Sequence, residues 1–253
     1  MVVVVKPIND RFARTRLLLG DAAFARLQNA HVTVVGLGAV GSYAVEGLAR
    51  AGVGRLRLVD FDRVAPSNIN RQLYALESTL GQPKHELAAA RVRDINPACG
   101  VEALHLFVNS QTVAQVLAPP AQIIVDAIDS VNAKAALLEA CVRAGLPVFS
   151  SMGAARRLDP AFIRVADLSE TSVCPLARFV RKRLHKRGIF TGVRCVFSTE
   201  PVPDETVGEP EETELSVPGG RLRRPMGSMS CITGIMGLTL AREVIMRVIS
   251  NKN

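Results

Sequence analysis

The sequence predicts an α/β fold: a mainly parallel, wound sheet with an added antiparallel hairpin and a C-terminal helix. Three observations carry this. From His31 to Ser151, short apolar β-branched runs alternate with segments of helical period. A glycine-rich turn, Gly36-Leu37-Gly38-Ala39-Val40-Gly41, joins the first such run to the first helix of that series. After Gly153 the alternation changes to a hairpin pattern, and a long apolar helix closes the chain.

The first unit is the most informative. His31 to Val35 reads as a buried strand, and Val40, Ala44, Val45 and Leu48 share one face of the helix that follows. Gly52 and Gly54 stop that helix, and a second strand, Arg55 to Val59, ends on Asp60. Strand, glycine turn, helix, strand and acid together bring nucleotide phosphates to a helix N-terminus, where the free N–H groups carry partial positive charge. Asp60 at the strand tip is placed to accept hydrogen bonds from ribose hydroxyls. The competing reading is a turn whose glycines only ease helix–strand packing.

Length and composition set bounds. At 253 residues, with 48% hydrophobic and 21% charged residues, the chain can bury a substantial core. The five cysteines (Cys99, Cys141, Cys174, Cys195, Cys231) are scattered and never form CxxC. This argues against a disulfide framework or structural zinc and favours a reducing cytoplasm. No signal-peptide order is present at Met1 to Val5. The charge-free stretch Pro225 to Ala241 is broken by Gly227, Gly234 and Gly237, so it reads as a buried or interface helix before a membrane contact.

The net charge is +8, and much of it is clustered. Arg178, Arg181, Lys182, Arg183, Lys186 and Arg187 form one run, and Arg221, Arg223 and Arg224 a second. A solvated helix face explains one such run; two runs with net positive charge point to nucleic acid, bound through its phosphates. Aromatic residues are only 4% with no Trp, which gives little support for base stacking.

In chain order, Asp10 to Leu19 reads as an amphipathic helix capped by Asp10, with Arg14 either a solvated charge or a functional one. Asp21 caps a second short helix, Ala22 to Leu27. Phe61 to Gln72 reads as an ordered polar loop at the carboxyl edge of the sheet. Pro83 opens a helix whose first turn holds Lys84, a position the helix dipole disfavours for a cation unless an anion arrives. Val101 to Val108 is a strand, and Ser110 caps a helix to about Leu117. Ile123 to Val125 is a buried strand ending on Asp126-Ala127-Ile128-Asp129-Ser130. Two acids past a strand end suit Mg²⁺ beside a phosphate, and capping of the next helix, Asn132 to Ala144, is the alternative use. Pro147 to Ser151 is the next strand. Ala155–Leu158 and Phe162–Val165 read as the hairpin, followed by the basic helix from Pro175 to about Lys186 and a strand, Val193 to Phe197. Thr199 to Gly220, rich in Pro, Gly and acid, reads as a long flexible loop. In the last helix, Cys231 to Ile249, Gly234 and Gly237 allow close approach of another backbone, such as that of a twofold partner.

Several spaced motifs then add a resemblance. Asp60-Phe61-Asp62, Ser67-Asn68-Ile69-Asn70-Arg71-Gln72, Gly81-Gln82-Pro83-Lys84 and Asp126-Ala127-Ile128-Asp129-Ser130 resemble, in this order, the ubiquitin- and sulfur-carrier-activating superfamily. Its members are ATP-dependent adenylating enzymes on a Rossmann-like fold. The resemblance implies ATP and Mg²⁺ as cofactors, and it places Gly36, Gly38, Gly41, Asp60, Asp62, Asn68, Arg71, Gln72, Lys84, Asp129 and Ser130 around the nucleotide. Asp60 would hold the ribose, Asn68, Arg71 and Lys84 the ribose and phosphates, and Asp129 the Mg²⁺. Arg14, Arg71, Lys84 and Asp129 would be the catalytic set, with Arg14 reaching the partner's nucleotide in a homodimer.

The second half narrows the resemblance. The chain lacks the paired CxxC zinc ligands usual in carrier-protein activators. Lys134-Ala135-Ala136-Leu137, Pro175-Leu176-Ala177 and Cys195-Val196-Phe197-Ser198-Thr199-Glu200 look like the tRNA threonylcarbamoyladenosine dehydratase branch. That implies ATP-driven activation of a threonyl carboxylate on tRNA, followed by ring closure with loss of water. It also implies one adenylating domain over residues 1–253: a helical arm at 1–30, a nucleotide-binding core at 31–152, and a tRNA-side and dimer portion at 153–253 with the flexible loop 199–220. The superfamily's sulfur chemistry adds a cysteine desulfurase or sulfur acceptor to the candidate partners. Cys195 and Cys231 read as packing residues. The alternatives are adenylation of a ubiquitin-like or sulfur-carrier C-terminus, a nicotinamide-dependent oxidoreductase using only the glycine turn and Asp60, and a non-catalytic nucleotide-binding adaptor.

Overall fold

The computed structural model describes residues 10–202 and 226–250. Most of the acidic loop and the whole Arg221 cluster lie outside the described residues. Seven strands form one sheet: β1 (His31–Val35), β2 (Arg55–Asp60), β3 (Gly100–His105), β4 (Ile123–Asp126), β5 (Val148–Ser151), β6 (Ile163–Asp167) and β7 (Val193–Ser198). Their spatial order is β3-β2-β1-β4-β5-β7-β6. All neighbours pair in parallel except β6 with β7, which are antiparallel. The chain runs outward from β1 to β3, then returns to place β4 on β1's other side. The crevice between β1 and β4 is where the strand order reverses, and ligands of open α/β sheets collect there.

The helices α1 (Ala13–Leu19), α2 (Asp21–Gln28), α3 (Gly41–Ala51), α4 (Lys84–Ile95), α5 (Val113–Leu117), α6 (Val131–Arg143), α7 (Pro175–His185) and α8 (Ser230–Ile249) cover the sheet. One core joins Val32, Val34, Leu56 and Leu58 to Leu27, Leu48, Val92, Met236 and Leu240, from α2, α3, α4 and α8. The other joins Val35, Ile124, Val148 and Cys195 to Val116, Leu137, Leu138, Val180 and Leu184, from α5, α6 and α7. The strands β1, β4 and β5 have helices on both faces, which is why they read as continuous apolar runs.

Several local expectations need correction. The antiparallel element is present, but Ala155–Leu158 is not a strand. β6 instead pairs with β7 across the intervening α7, from Ile163 opposite Ser198 to Asp167 opposite Arg194. A tight-turn signal at Asp159-Pro160 is real, yet it initiates a 3₁₀ turn in which Asp159 accepts from the Ala161 amide at 2.8 Å. Asp10 does not cap α1 directly; its side chain accepts from the Phe12 amide at 2.9 Å, one turn earlier. Asp21 lies inside α2, whose N-cap is Gly20. Asn109, not Ser110, accepts from the Gln111 and Thr112 amides ahead of α5. Pro83 is the N-cap of α4 and Lys84 its first residue.

The small residues of α8 meet this chain's own α3. A Cβ on Gly237 would lie 2.4 Å from the Val40 carbonyl oxygen, and one on Gly234 would lie 3.2 Å from the Tyr43 ring. The close approach expected of a twofold partner is therefore used within the chain. Among the described residues no helix is long and apolar enough to cross a membrane.

Candidate nucleotide site at the β1–β4 crevice

The glycine turn closes against the end of β4. Gly36 has φ +87°, and a Cβ there would lie 2.8 Å from the Ala127 carbonyl oxygen. A Cβ on Gly41 would lie 1.7 Å from the Gly36 oxygen. Both positions are thus closed to side chains by the chain's own backbone. Gly38 differs: its nearest neighbour is the Gln72 side-chain amide, 3.6 Å from the Cβ position. Its missing side chain leaves room above the first turn of α3, where the partial positive charge of the helix N-terminus favours an anion.

Asp60 locks this turn. It is 7% exposed, and its Oδ2 accepts from the Leu37 amide at 2.6 Å while Oδ1 accepts from the Asp62 amide at 2.8 Å. Each carboxylate oxygen has a second lone-pair direction, so the group can still receive hydroxyl donors. Burial raises the Asp60 pKa, opposed by the charge of Lys84 and by those two amides. Lys84 is itself buried, 5% exposed, and its ammonium lies 3.0 Å from Asp62 Oδ2. It is therefore not a solvated lysine: Asp62, at the edge of the crevice, neutralises it.

The polar segment between β2 and α4 is ordered by its own side chains. Asn68 is buried in a 3₁₀ turn, Pro66–Asn68, and accepts from the Ala65 amide at 3.2 Å. The Arg71 guanidinium donates to the Ser67 carbonyl at 2.6 Å and to Asn70 Oδ1 at 3.0 Å. Asn70 donates to the Ser228 carbonyl at 2.8 Å, tying this segment to the approach to α8. Nothing in the spacing marked Asn70 for that role, since its partner lies 158 residues away.

The two acids after β4 have separate fates. Asp126 is fully buried: its Oδ2 meets Lys134 Nζ at 2.5 Å and Ser150 Oγ at 2.6 Å, and its Oδ1 accepts from the Ile128 amide at 3.0 Å. It is committed to holding the loop and is not available to a metal. Asp129, the next acid, is exposed on the same loop, directly before Ser130, the N-cap of α6. Asp129 is thus the solvent-facing carboxylate of this loop; Mg²⁺ beside a phosphate commonly takes one or two such groups.

Sequence reasoning missed a histidine pair beside Asp60. His105 is opposite Asp60 in the β2–β3 register, its Nε2 lies 2.9 Å from the Phe61 carbonyl oxygen, and its ring centroid is 5.2 Å from that of His85. Burial, then the charge of His105, holds the His85 pKa below its usual 6.5. As pH falls through that value, the unfolded chain takes up a proton that folded His85 resists, so acid lowers stability. His85→Gln should therefore lose less unfolding free energy than the parent between about pH 7.5 and about pH 5, measured by urea denaturation. An undiminished acid loss would assign the effect to other groups, such as His31, whose pKa burial also lowers.

The comparisons with known proteins bear on this arrangement. A model of the ThiF family matches residues 12–253. The chain belongs to the ThiF family. Among curated relatives, tRNA threonylcarbamoyladenosine dehydratase of Bacillus subtilis is 39% identical over 245 residues, 95% of each chain. The protein of that name from Escherichia coli is 36% identical, over 98% of this chain and 97% of its own. The solved structure of E. coli tRNA N6-threonylcarbamoyladenosine dehydratase, TcdA, in complex with ATP superposes with a TM-score of 0.84 at 36% identity, covering 98% of both chains. The Rossmann-like architecture is that of these ThiF-family proteins.

Two further expectations from the ThiF-family resemblance depend on position. Arg14 does not reach its own chain's crevice. α1 is pinned where α4 ends, through Arg11 donating to the Ile95 carbonyl at 2.8 Å. The 12 residues of α4 separate that point from Lys84 by about 18 Å. Four of the five cysteines are buried, and burial pushes the Cys99 and Cys141 thiols up to about 11 and about 12 and raises that of Cys195 further, which makes these three poor nucleophiles. Cys195 packs as expected, whereas Cys231 is exposed at the start of α8 and is not a packing residue. Among the described residues no group of three or more His, Cys, Asp or Glu could hold a metal ion.

Proposed function

We propose that this protein is an ATP-dependent tRNA threonylcarbamoyladenosine dehydratase. The observation that carries the reading is end-to-end similarity, at 35–39% identity, to bacterial proteins of that name, including one solved with ATP. The reaction couples ATP cleavage to loss of water. A threonyl carboxylate oxygen attacks a phosphorus of ATP, expelling pyrophosphate or ADP and forming a mixed anhydride. The neighbouring carbamoyl group then attacks the activated carbonyl, the C–O bond to AMP or phosphate breaks, and the ring closes.

In this reading the chain's own residues divide the work. Gly36, Gly38 and Gly41 bring the first turn of α3 to the phosphates, with Gln72 over Gly38. Asp60 and Asn68 take the ribose hydroxyls. Lys84 and Arg71 neutralise charge developing on the phosphate oxygens, Lys84 exchanging its Asp62 partner for the nucleotide. Asp129, next to Ser130, would hold Mg²⁺ together with phosphate oxygens, where the ion would offset phosphate charge. Holding carboxylate and phosphate in one crevice supplies the proximity that an otherwise poor electrophile needs. A tRNA substrate and five unpaired thiols support a cytoplasmic location. Superfamily chemistry alone supports a cysteine desulfurase as partner.

The test is direct: purified protein, ATP, Mg²⁺ and tRNA bearing threonylcarbamoyladenosine, with nucleosides read by mass spectrometry. The expected result is a product lighter by one water, with AMP or ADP reporting the phosphorus attacked. Pyrophosphate exchange driven by a Gly-Gly-ending carrier protein, with tRNA unchanged, would replace this reading by carrier-protein adenylation.

A homodimer completes the proposal. α1 exposes Arg14 beside Leu17 and Leu18, which are 79% and 83% exposed, as a helix awaiting a second copy would. Arg14→Ala and Asp129→Ala should each be inactive alone, yet mixed dimers should regain about a quarter of parental turnover, since half the dimers carry one intact site. Absence of recovery would place Arg14 in its own subunit's function or in none.

A further inference from the structure

We propose that the outer face of α7 is the docking surface for the phosphate backbone of the tRNA, with Phe179 beneath an unstacked base. The inference rests on the tRNA substrate proposed above and gives that substrate a location. α7 buries Ala177, Val180 and Leu184 against the sheet. Its opposite face exposes Arg178, Phe179, Lys182 and Arg183, and the stripe continues into Lys186. Together with Arg187 the last four residues line a shallow depression of about 440 Å³.

The charge pattern is poorly explained by stability. Arg178, Lys182 and Lys186 stand at successive i, i+4 positions, where like charges repel. The helix dipole favours Lys182, Arg183 and the C-cap Lys186 at the end of α7, but it disfavours Arg178 in the first turn and does not remove the repulsion among them. No carboxylate occurs in the sequence between Glu170 and Glu200 to relieve them. An external polyanion does.

The structure also sorts the run. Arg181 turns inward, donating to the Thr171 carbonyl at 2.8 Å and its hydroxyl at 2.7 Å, so it belongs to the fold. Arg183 is steadied by Asn132, and Arg187 by Glu139, both on α6. Phe179 is 50% exposed with the Arg178 guanidinium 5.4 Å from its ring centre, an apolar floor among cations of the kind on which a base stacks. This qualifies the low expectation of stacking drawn from composition.

Placement suits the crevice. α7 starts at Pro175, and the preceding Cys174 packs 3.6 Å from the Cβ position of Gly153, two residues beyond β5 at the sheet's carboxyl edge. From there its 11 residues lead outward for about 16 Å, enough to meet several phosphates of one strand. An anionic membrane is the less suited partner, because the apolar face of α7 is already buried and no stripe remains to insert.

The test is tRNA binding by the full chain as a function of salt. K182E/K186E should weaken binding about tenfold or more near 0.1 M salt and lower the slope of log affinity against log salt by about two, one per lost phosphate contact. Phe179→Ala should weaken binding about fivefold with the slope unchanged. ATP affinity, unchanged in both, reports an intact fold. K182E/K186E affinity within about twofold of a parent that binds tRNA would overturn the surface and leave the substrate standing. A parent that fails to bind tRNA overturns both. Loss of binding to phosphatidylglycerol vesicles with tRNA affinity retained would overturn it in favour of a membrane.

Discussion

Asp129→Ala should leave the protein folded and lower turnover by about a hundredfold or more, the scale expected when one preorganised transition-state group is removed. The side chain is exposed on the loop after β4, so its loss removes little buried structure. Asp126 cannot substitute, because both its oxygens are held by Lys134, Ser150 and the Ile128 amide. The measurements are ATP consumption with modified tRNA and a thermal melt on the same sample. Full activity in a folded Asp129→Ala variant would remove the Mg²⁺ assignment. Recovery of part of the activity at raised Mg²⁺ would strengthen it.

Lys134→Met should cost about 3–5 kcal/mol of stability, because it strands a fully buried carboxylate. Lys134 and Asp126 are both inaccessible, and the ammonium also donates to Ser150 Oγ at 3.2 Å and the Ser151 carbonyl at 3.0 Å. These contacts tie α6 to the ends of β4 and β5, and through the Ile128 amide they fix the loop that carries Asp129. Asp126→Asn combined with Lys134→Met should recover much of the loss, since no buried charge is then left alone. Urea denaturation of the single and double variants decides this. A single-variant loss below about 1 kcal/mol would mean that water or rearrangement reaches the carboxylate.

The α/β class and the order of elements were legible because burial on both faces writes itself as apolar runs, and amphipathic helices as a 3.6 period. The glycine turn and Asp60 were legible for the same local reason: strand, turn and acid are contiguous. Helix starts were less so. At α1, α2 and α5 the local sequence offers Asp10, Asp21 and Ser110 as caps, and the packed chain instead starts these helices from Phe12, Gly20 and Thr112, with Asn109 accepting ahead of α5. The antiparallel pair was legible as strands and wrongly partnered, because β6 finds β7 across a helix and a turn signal between them says nothing of distant register.

The sequence by itself determined the fold class, the nucleotide-type turn, the absence of CxxC pairs and the concentration of positive charge on one helix. Those are properties of neighbours in the chain, where stereochemistry and periodicity act. Tertiary structure alone decided that Asp126 is buried and Asp129 exposed, that Lys84 is buried against Asp62, that the His85 and His105 rings meet beside Asp60, and that Gly234 and Gly237 serve α3. Each of these turns on desolvation and contact between segments far apart in sequence, and neither is encoded in local spacing.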